Sequence, residues 1–335
     1  MTLQIVIDNP GIFAPGDIVK GKVICTFHSQ ERIRGIKCRF RGEEETHWMQ
    51  RRGKNNVRFT GKNTIISANN NFMGEGDIRP GRYEYAFAYA LPTENIPSSY
   101  THEFGSILYH IEALVDRPFA FDYRKDVTLH VVVPVSLIQS MLPLKYQEEK
   151  RVGCCCCIRG VISLDIILEK NTYLLGETVS FKIHLVNESD IEVEGLKIEL
   201  TRNVHFTTHK PSTQYKVEKH PIATTERGGV RSKGQKTYNI DMTIPENTVT
   251  YNFSKCLLFK EWFAVNVTAA LPVCYSNLFL EAAFEVGHVI LRTSNQIESS
   301  TVETEPQNNI TPIGQAPPDN TKQLPPSYDD VIKRR

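Results

Sequence analysis

The sequence predicts an all-β protein: two tandem antiparallel β-sandwiches followed by a disordered C-terminal tail. Three observations predict it. Short runs of β-branched and aromatic residues alternate with period two and end at Gly, Pro or Asn, without long stretches of helical periodicity. One half of the chain repeats the other at a fixed offset. After Arg292 the composition changes sharply.

Taken in order, Leu3, Ile5 and Ile7 alternate, and Asn9-Pro-Gly11 and Ala14-Pro-Gly16 punctuate a turn. Ile18–Phe27 is a strand, and Gly35–Phe40 opens a longer one running to Trp48. Tyr83, Tyr85, Phe87, Tyr89 and Leu91 alternate with polar residues and alanines until Pro92 ends the run. Ile107–Val115 and Val127–Val133 follow, closed by Pro134. About seven short strands separated by turn residues make one sandwich.

The pattern then recurs. Gly16-Asp-Ile-Val-Lys-Gly-Lys-Val23 aligns with Gly176-Glu-Thr-Val-Ser-Phe-Lys-Ile183, an offset of 160. Gly35-Ile-Lys-Cys-Arg-Phe40 aligns with Gly195-Leu-Lys-Ile-Glu-Leu200 at the same offset without a gap. Ala90-Leu-Pro92 matches Thr243-Ile-Pro245, each followed by a tyrosine, Tyr100 and Tyr251. The expected organisation is a first sandwich over 1–136, a linker over 137–159, a second sandwich over 160–292 and a tail over 293–335. Roughly 30 flexible tail residues would give a reach of roughly 30 Å.

With 335 residues, 40% hydrophobic and 23% charged, the composition is that of a soluble globular protein. A net charge of +1 gives no global field for nucleic acid, so no nucleic-acid partner is expected. No apolar run is long enough to span a membrane, and the first residues lack the features of a signal peptide, so a cytoplasmic location is expected. On that ground the sequons at Asn187, Asn252, Asn266 and Asn309 are discounted. Gly-x-Ser-x-Gly, phosphate-loop and His-Glu-x-x-His patterns are absent, and the histidines are scattered, so the expectation is a non-enzyme with no cofactor and no metal.

Half of the eight cysteines are consecutive, Cys154, Cys155, Cys156 and Cys157. Flanked by Lys150, Arg151 and Arg159, they suit S-palmitoylation beside an anionic membrane surface; the alternative is inert thiols, and four adjacent thiolates make a poor zinc cage. Cys25, Cys38, Cys256 and Cys274 are expected as core thiols. Arg51, Arg52, Lys54, Arg58 and Lys62 lie in the acid-free stretch 46–74, and Lys216, Lys219, Arg231 and Lys233 lie at an equivalent place of the second half. They read either as a basic face for acidic or phosphorylated cargo tails or anionic lipid, or as solvated loops and charged edge strands that resist aggregation. The triplet Glu43-Glu-Glu45 reads as the solvated end of a strand.

Near the C-terminus, Pro325-Pro326-Ser-Tyr328 combines a preformed polyproline II turn with a tyrosine that fills a second pocket, the pattern bound by WW domains. With this many Pro and Tyr it arises by chance in roughly 0.04 of chains.

Pro15-Gly-Asp-Ile-Val-Lys-Gly-Lys-Val23, Pro80-Gly-Arg-Tyr-Glu-Tyr-Ala-Phe-Ala-Tyr-Ala-Leu-Pro92 and Pro97-Ser-Ser-Tyr100 resemble the amino-terminal half of the arrestin fold. Tyr173-Leu-Leu-Gly-Glu-Thr-Val-Ser-Phe-Lys-Ile183 resembles its carboxy-terminal half. With the tail motif, the chain is similar to the alpha-arrestins, whose two domains are immunoglobulin-like sandwiches. The resemblance implies an adaptor that brings a WW-domain HECT-type ubiquitin ligase to membrane protein cargo, receptors or transporters, for ubiquitination, endocytosis and transport. Pro325, Pro326 and Tyr328 would be the ligase contacts. It also implies recruitment to the plasma membrane and endosomes and peripheral membrane association. Many members carry two such motifs, whereas Ala316-Pro-Pro-Asp-Asn320 lacks the tyrosine, so the avidity of paired WW domains is forgone. The alternative is a retromer-subunit-like sorting scaffold that acts without a ligase.

Overall fold

The computed structural model describes residues 1–138, 143–154 and 157–291, and among these residues there is no helical segment. The tail motif and its surroundings lie outside the described residues, as do Cys155 and Cys156.

The first half contains β1 (Thr2–Ile7), β2 (Ile12–Phe13), β3 (Ile18–Phe27), β4 (Glu31–Ile33), β5 (Gly35–Arg52), β6 (Asn55–Met73), β7 (Gly76–Ile78), β8 (Gly81–Ala90), β9 (Tyr100–His102), β10 (Gly105–Asp116), β11 (Tyr123–Val131) and β12 (Ser136–Ile138). One sheet has the order β1-β3-β8 and the other β2-β11-β10-β5-β6, with β9 added beside β10. The alternation expected for Tyr83–Leu91 is met, since β8 lies antiparallel to β3 and sets Tyr89 against Val19 and Tyr85 against Val23. Phe87, Tyr89, Val19 and Val23 are buried between the sheets with Phe40, Tyr109 and Ile111. The stretch 46–74 differs from a run of short strands. It supplies much of a hairpin whose arms, β5 and β6, are 18 and 19 residues long.

The second half contains β13 (Leu144–Cys154), β14 (Cys157–Leu168), β15 (Thr172–Leu174), β16 (Thr178–Asn187), β17 (Val193–Thr208), β18 (Gln214–Val230), β19 (Gly234–Thr243), β20 (Phe259–Ala270), β21 (Leu278–Gly287) and β22 (Val289–Leu291). Its sheets run β13-β14-β16-β19 and β15-β21-β20-β17-β18. Residues 144–154 are therefore not linker, as the sequence suggested, but the edge strand of a sheet. The charged run Gln147–Arg151 hid it, because an edge strand paired on one side tolerates polar side chains. Leu144, Tyr146 and Val152 carry its apolar contribution, Val152 being buried.

The repeat is structural. β3 and β16 coincide at the offset of 160, and Val19 and Val179 are both fully buried. Ahead of each strand, Gly16 (φ 87°) and Gly176 (φ 84°) adopt the left-handed conformation that disfavours a Cβ. The acidic residue that follows closes the same turn. Asp17 Oδ2 accepts the Ala14 N–H at 2.7 Å, and Glu177 Oε2 accepts the Leu174 N–H at 2.9 Å. The Asp17 and Glu177 carbonyls accept the Leu91 and Ile244 N–H groups, at 2.8 and 2.9 Å, joining the residues paired by the later part of the repeat.

The chain enters and leaves the second sandwich at one place. β12 pairs in parallel with β22, and His288 N–H donates to the Val135 carbonyl at 2.8 Å while Val135 N–H donates to His288 Nδ1 at 3.1 Å.

Candidate functional site: the junction of the two sandwiches

The two halves share a core. Val204, Phe206, Leu258 and Phe259 of the second half are packed into the apolar cluster of the first. Tyr100, at the start of β9, is the hub. Its ring centroid lies 4.9 Å from Tyr251, 5.1 Å from Phe253, 5.7 Å from Phe259 and 6.4 Å from Phe206, mostly edge-on as aromatic quadrupoles prefer. Burial pushes the Tyr100 phenol up to about 12. At Gly105, a Cβ would sit 2.3 Å from the Glu45 carbonyl oxygen and 2.9 Å from Phe259 Cζ, so a bare backbone is what admits the Phe259 ring.

Polar contacts lock the same seam. Glu44 is fully buried, and its carboxylate accepts the Leu257 and Leu258 N–H groups at 2.9 and 3.0 Å and Asn63 Nδ2 at 2.7 Å. Thr46 Oγ1 donates to the Thr207 carbonyl at 2.5 Å, and Thr60 and Lys210 exchange backbone hydrogen bonds at 2.8 and 2.9 Å. At the other end of the 245–258 connection, Glu261 pairs with Arg202 and accepts Tyr251 N–H at 2.8 Å and the Thr250 hydroxyl at 3.2 Å. The connection is pinned by a buried carboxylate from each half.

This corrects the reading of Glu43–Glu45. Glu43 and Glu45 do meet solvent and pair with Lys62 at 3.0 and 2.6 Å, but Glu44 is an internal acceptor. Parity was the available signal, because Phe40, Gly42, Glu44, Thr46 and Trp48 all fall on the inward face of β5. One cysteine also differs from expectation. Cys25 and Cys38 are buried and Cys256, partly buried in the 245–258 connection, packs against the core, whereas Cys274 is exposed in a turn.

The nine basic residues do not make one surface. Lys62 is held by Glu43 and Glu45, Lys219 by Glu281 at 3.3 Å and Lys233 by Asp190 at 2.9 Å. Arg51 turns to the Gly53 carbonyl at 3.3 Å, and Arg52 lies 5.0 Å from the Phe59 ring centroid. Lys54 is in the turn between β5 and β6, and Arg231 and Lys233 follow the far end of β18, roughly 45 Å of strand from Lys216. The structure does unite Arg58 and Lys216, one from each half. They line a groove of about 410 Å³ with His47, Trp48, Met49, Glu103 and Phe104. The Lys216 ammonium lies 3.8 Å from the Phe104 ring centroid and 5.5 Å from that of Trp48. No carboxylate among the described residues forms an ion pair with either cation. The groove thus has an apolar floor and, on its rim, two cations against the single carboxylate of Glu103, a net positive charge.

Cys154 and Cys157 are register partners at the ends of β13 and β14; Cys155 and Cys156, and Pro325, Pro326 and Tyr328, lie outside the described residues. Among the described residues no group of His, Cys, Asp and Glu is arranged to hold a metal.

Comparison with known proteins follows this division. The family described as Arrestin (or S-antigen), N-terminal domain, matches residues 3–138, and Arrestin (or S-antigen), C-terminal domain, matches 159–291. Arrestin domain-containing protein 4 of Mus musculus is 25% identical over 342 residues, covering 97% of this chain and 80% of that protein. The chain belongs to the alpha-arrestin family. This alpha-arrestin is also similar to arrestin domain-containing protein 5 of Bos taurus, 24% identical over 64% of this chain and 67% of that one. Thioredoxin-interacting protein of Mus musculus is 21% identical over 99% of this chain and 83% of its own length. Both sandwiches are thus arrestin domains, and the relatives point to an adaptor role.

Proposed function

We propose that this alpha-arrestin is a non-enzymatic trafficking adaptor that brings a WW-domain HECT-type ubiquitin ligase to membrane protein cargo. Ubiquitination of that cargo then drives its endocytosis and transport. The observation that carries the reading is the Pro325-Pro326-Ser-Tyr328 motif on a chain whose two arrestin domains are matched over residues 3–138 and 159–291. A polyproline II segment supplies the ligase contact at low entropic cost, and Tyr328 supplies its specificity. The groove of Arg58 and Lys216 supports a cargo contact, with an acidic or phosphorylated segment of the cargo tail as the ligand. The protein works from the cytoplasm and is recruited to the plasma membrane and endosomes, with acylation of Cys154–Cys157 as one means of holding it there.

Pull-down by an isolated WW domain tests the first contact. Tyr328→Ala abolishes capture, and undiminished capture would overturn the assignment. Arg58→Glu with Lys216→Glu tests the second, since it lowers cargo association while WW capture stays intact. Loss of neither would leave the groove without a role in the adaptor.

A further inference from the structure

At the opposite end of β10 from Gly105, the turn between β10 and β11 presents Phe119 and Phe121 to solvent. Their relative exposures are 108% and 93%, the former the largest of any exposed large hydrophobic side chain in the described residues. Isolated exposed apolar side chains are ordinary on protein surfaces, but two full aromatic rings within three residues are not.

The turn is also preorganised. Phe119 has a φ of 58°, a conformation uncommon for a bulky residue and retained only where the surroundings impose it. Arg117 imposes it. Its Nε donates to the Phe121 carbonyl at 2.9 Å, its Nη2 donates to the same oxygen, and its Nη1 donates to the Tyr123 hydroxyl at 2.9 Å. The guanidinium lies 3.9 Å from the Tyr123 ring centroid, and the Arg117 N–H donates to Asp122 Oδ1 at 3.2 Å. With Arg117, the Phe121 carbonyl, Asp122 and Tyr123 engaged with one another, the two rings project outward from the turn.

The surrounding charges decide what it is offered to. Arg32 pairs with Glu75, Arg34 with Asp116, Arg117 with Glu31, and Arg124 with Asp122 and Glu112. Such a rim is close to neutral, which fits neither an acidic peptide nor a purely electrostatic attraction to anionic lipid. It fits the boundary of headgroups and acyl chains, where aromatic rings are buried and paired charges stay hydrated.

We propose that Phe119 and Phe121 form a membrane-insertion tip that seats the folded body on a lipid surface by apolar contact. The tip is independent of the WW motif, of the Arg58–Lys216 groove and of cysteine acylation.

Flotation of the purified full-length, unacylated chain with phosphatidylcholine vesicles, with and without phosphatidylserine, tests it. The wild type floats with both, and added salt does not release it, because the interaction is not one between exposed charges. Phe119→Ser with Phe121→Ser lowers the partition coefficient by about a hundredfold or more, as the loss of two buried rings requires. That variant keeps the wild-type melting temperature, since neither ring packs in the core. As a second readout, Phe119→Trp adds an indole fluorescence that brominated acyl chains quench. Failure of the wild type to float with neutral vesicles, equal flotation of the double variant, or binding that needs phosphatidylserine and is lost in salt would each overturn the proposal. So would an unquenched Trp at position 119, which would place the ring outside the acyl region.

Discussion

Glu44 of the first arrestin domain and Leu258 of the second are 214 residues apart and joined by a 3.0 Å hydrogen bond in which a fully buried carboxylate accepts a backbone N–H. The same carboxylate holds Leu257 and Asn63, so it closes three donors at once. Removing such an acceptor leaves at least the buried Leu258 N–H without a partner.

Glu44→Ala is therefore expected to cost about 2–4 kcal/mol. Wild-type protein should unfold in one cooperative transition, because the two sandwiches share a core. In the variant, denaturant unfolding followed by fluorescence should separate into two transitions. A single transition at the wild-type midpoint would show that the seam does not depend on Glu44.

Tyr100→Ala removes the ring around which Tyr251, Phe253, Phe259 and Phe206 are arranged. A loss of about 3–5 kcal/mol is expected, within the range for deleting a large buried ring. Tyr100→Phe should cost far less, because no described group hydrogen-bonds the Tyr100 hydroxyl and the ring is what packs. Thermal melts of the two variants, compared with wild type, check both statements.

Glu177 gives a pH dependence. Burial acts to raise its pKa, but the Lys170 ammonium at 2.8 Å and the Leu174 N–H outweigh it and hold the carboxyl below its usual 4.5. A depressed folded-state value means that the contribution is present above 4.5 and is lost as pH falls through the lowered value. Glu177→Gln should therefore be less stable than wild type at neutral pH, and its stability should fall less steeply between about pH 5 and 3. Parallel denaturation curves across that range decide the matter.

Cysteine accessibility gives another test. Burial pushes the Cys25 and Cys38 thiols up to about 11, so little thiolate forms at neutral pH and the side chains are shielded as well. Mass-spectrometric mapping of native alkylation should find Cys274 modified long before either of them. Cys25 and Cys38 should react only after denaturation.

The features legible in the sequence are those set by neighbours in the chain. Gly16 and Gly176 mark left-handed turns, Tyr83–Leu91 keeps its period, and the offset of 160 transfers one strand onto the other. Features made by distant neighbours were not legible. β13 reads as a charged linker because the apolar side chains that cover its inner face come from other strands. Glu44 reads as solvated because two of its three partners, Leu257 and Leu258, lie in the second domain, although parity with Phe40 and Trp48 placed it inward. Arg58 and Lys216 are ordinary cations of two separate edge strands until the domains meet. Phe119 and Phe121 sit in a turn whose aromatic content gives no period to read.

The parallel pairing of Ser136–Ile138 with Val289–Leu291 puts the last strand before the second domain beside the last strand of that domain. A fold unit whose ends adjoin is topologically a cassette: it can be lifted out, duplicated or replaced without rerouting the remaining chain. Exchange of the second sandwich between relatives at these two strands would therefore disturb one three-residue ribbon and the seam at Tyr100. The first sandwich's own strand order would remain as it is.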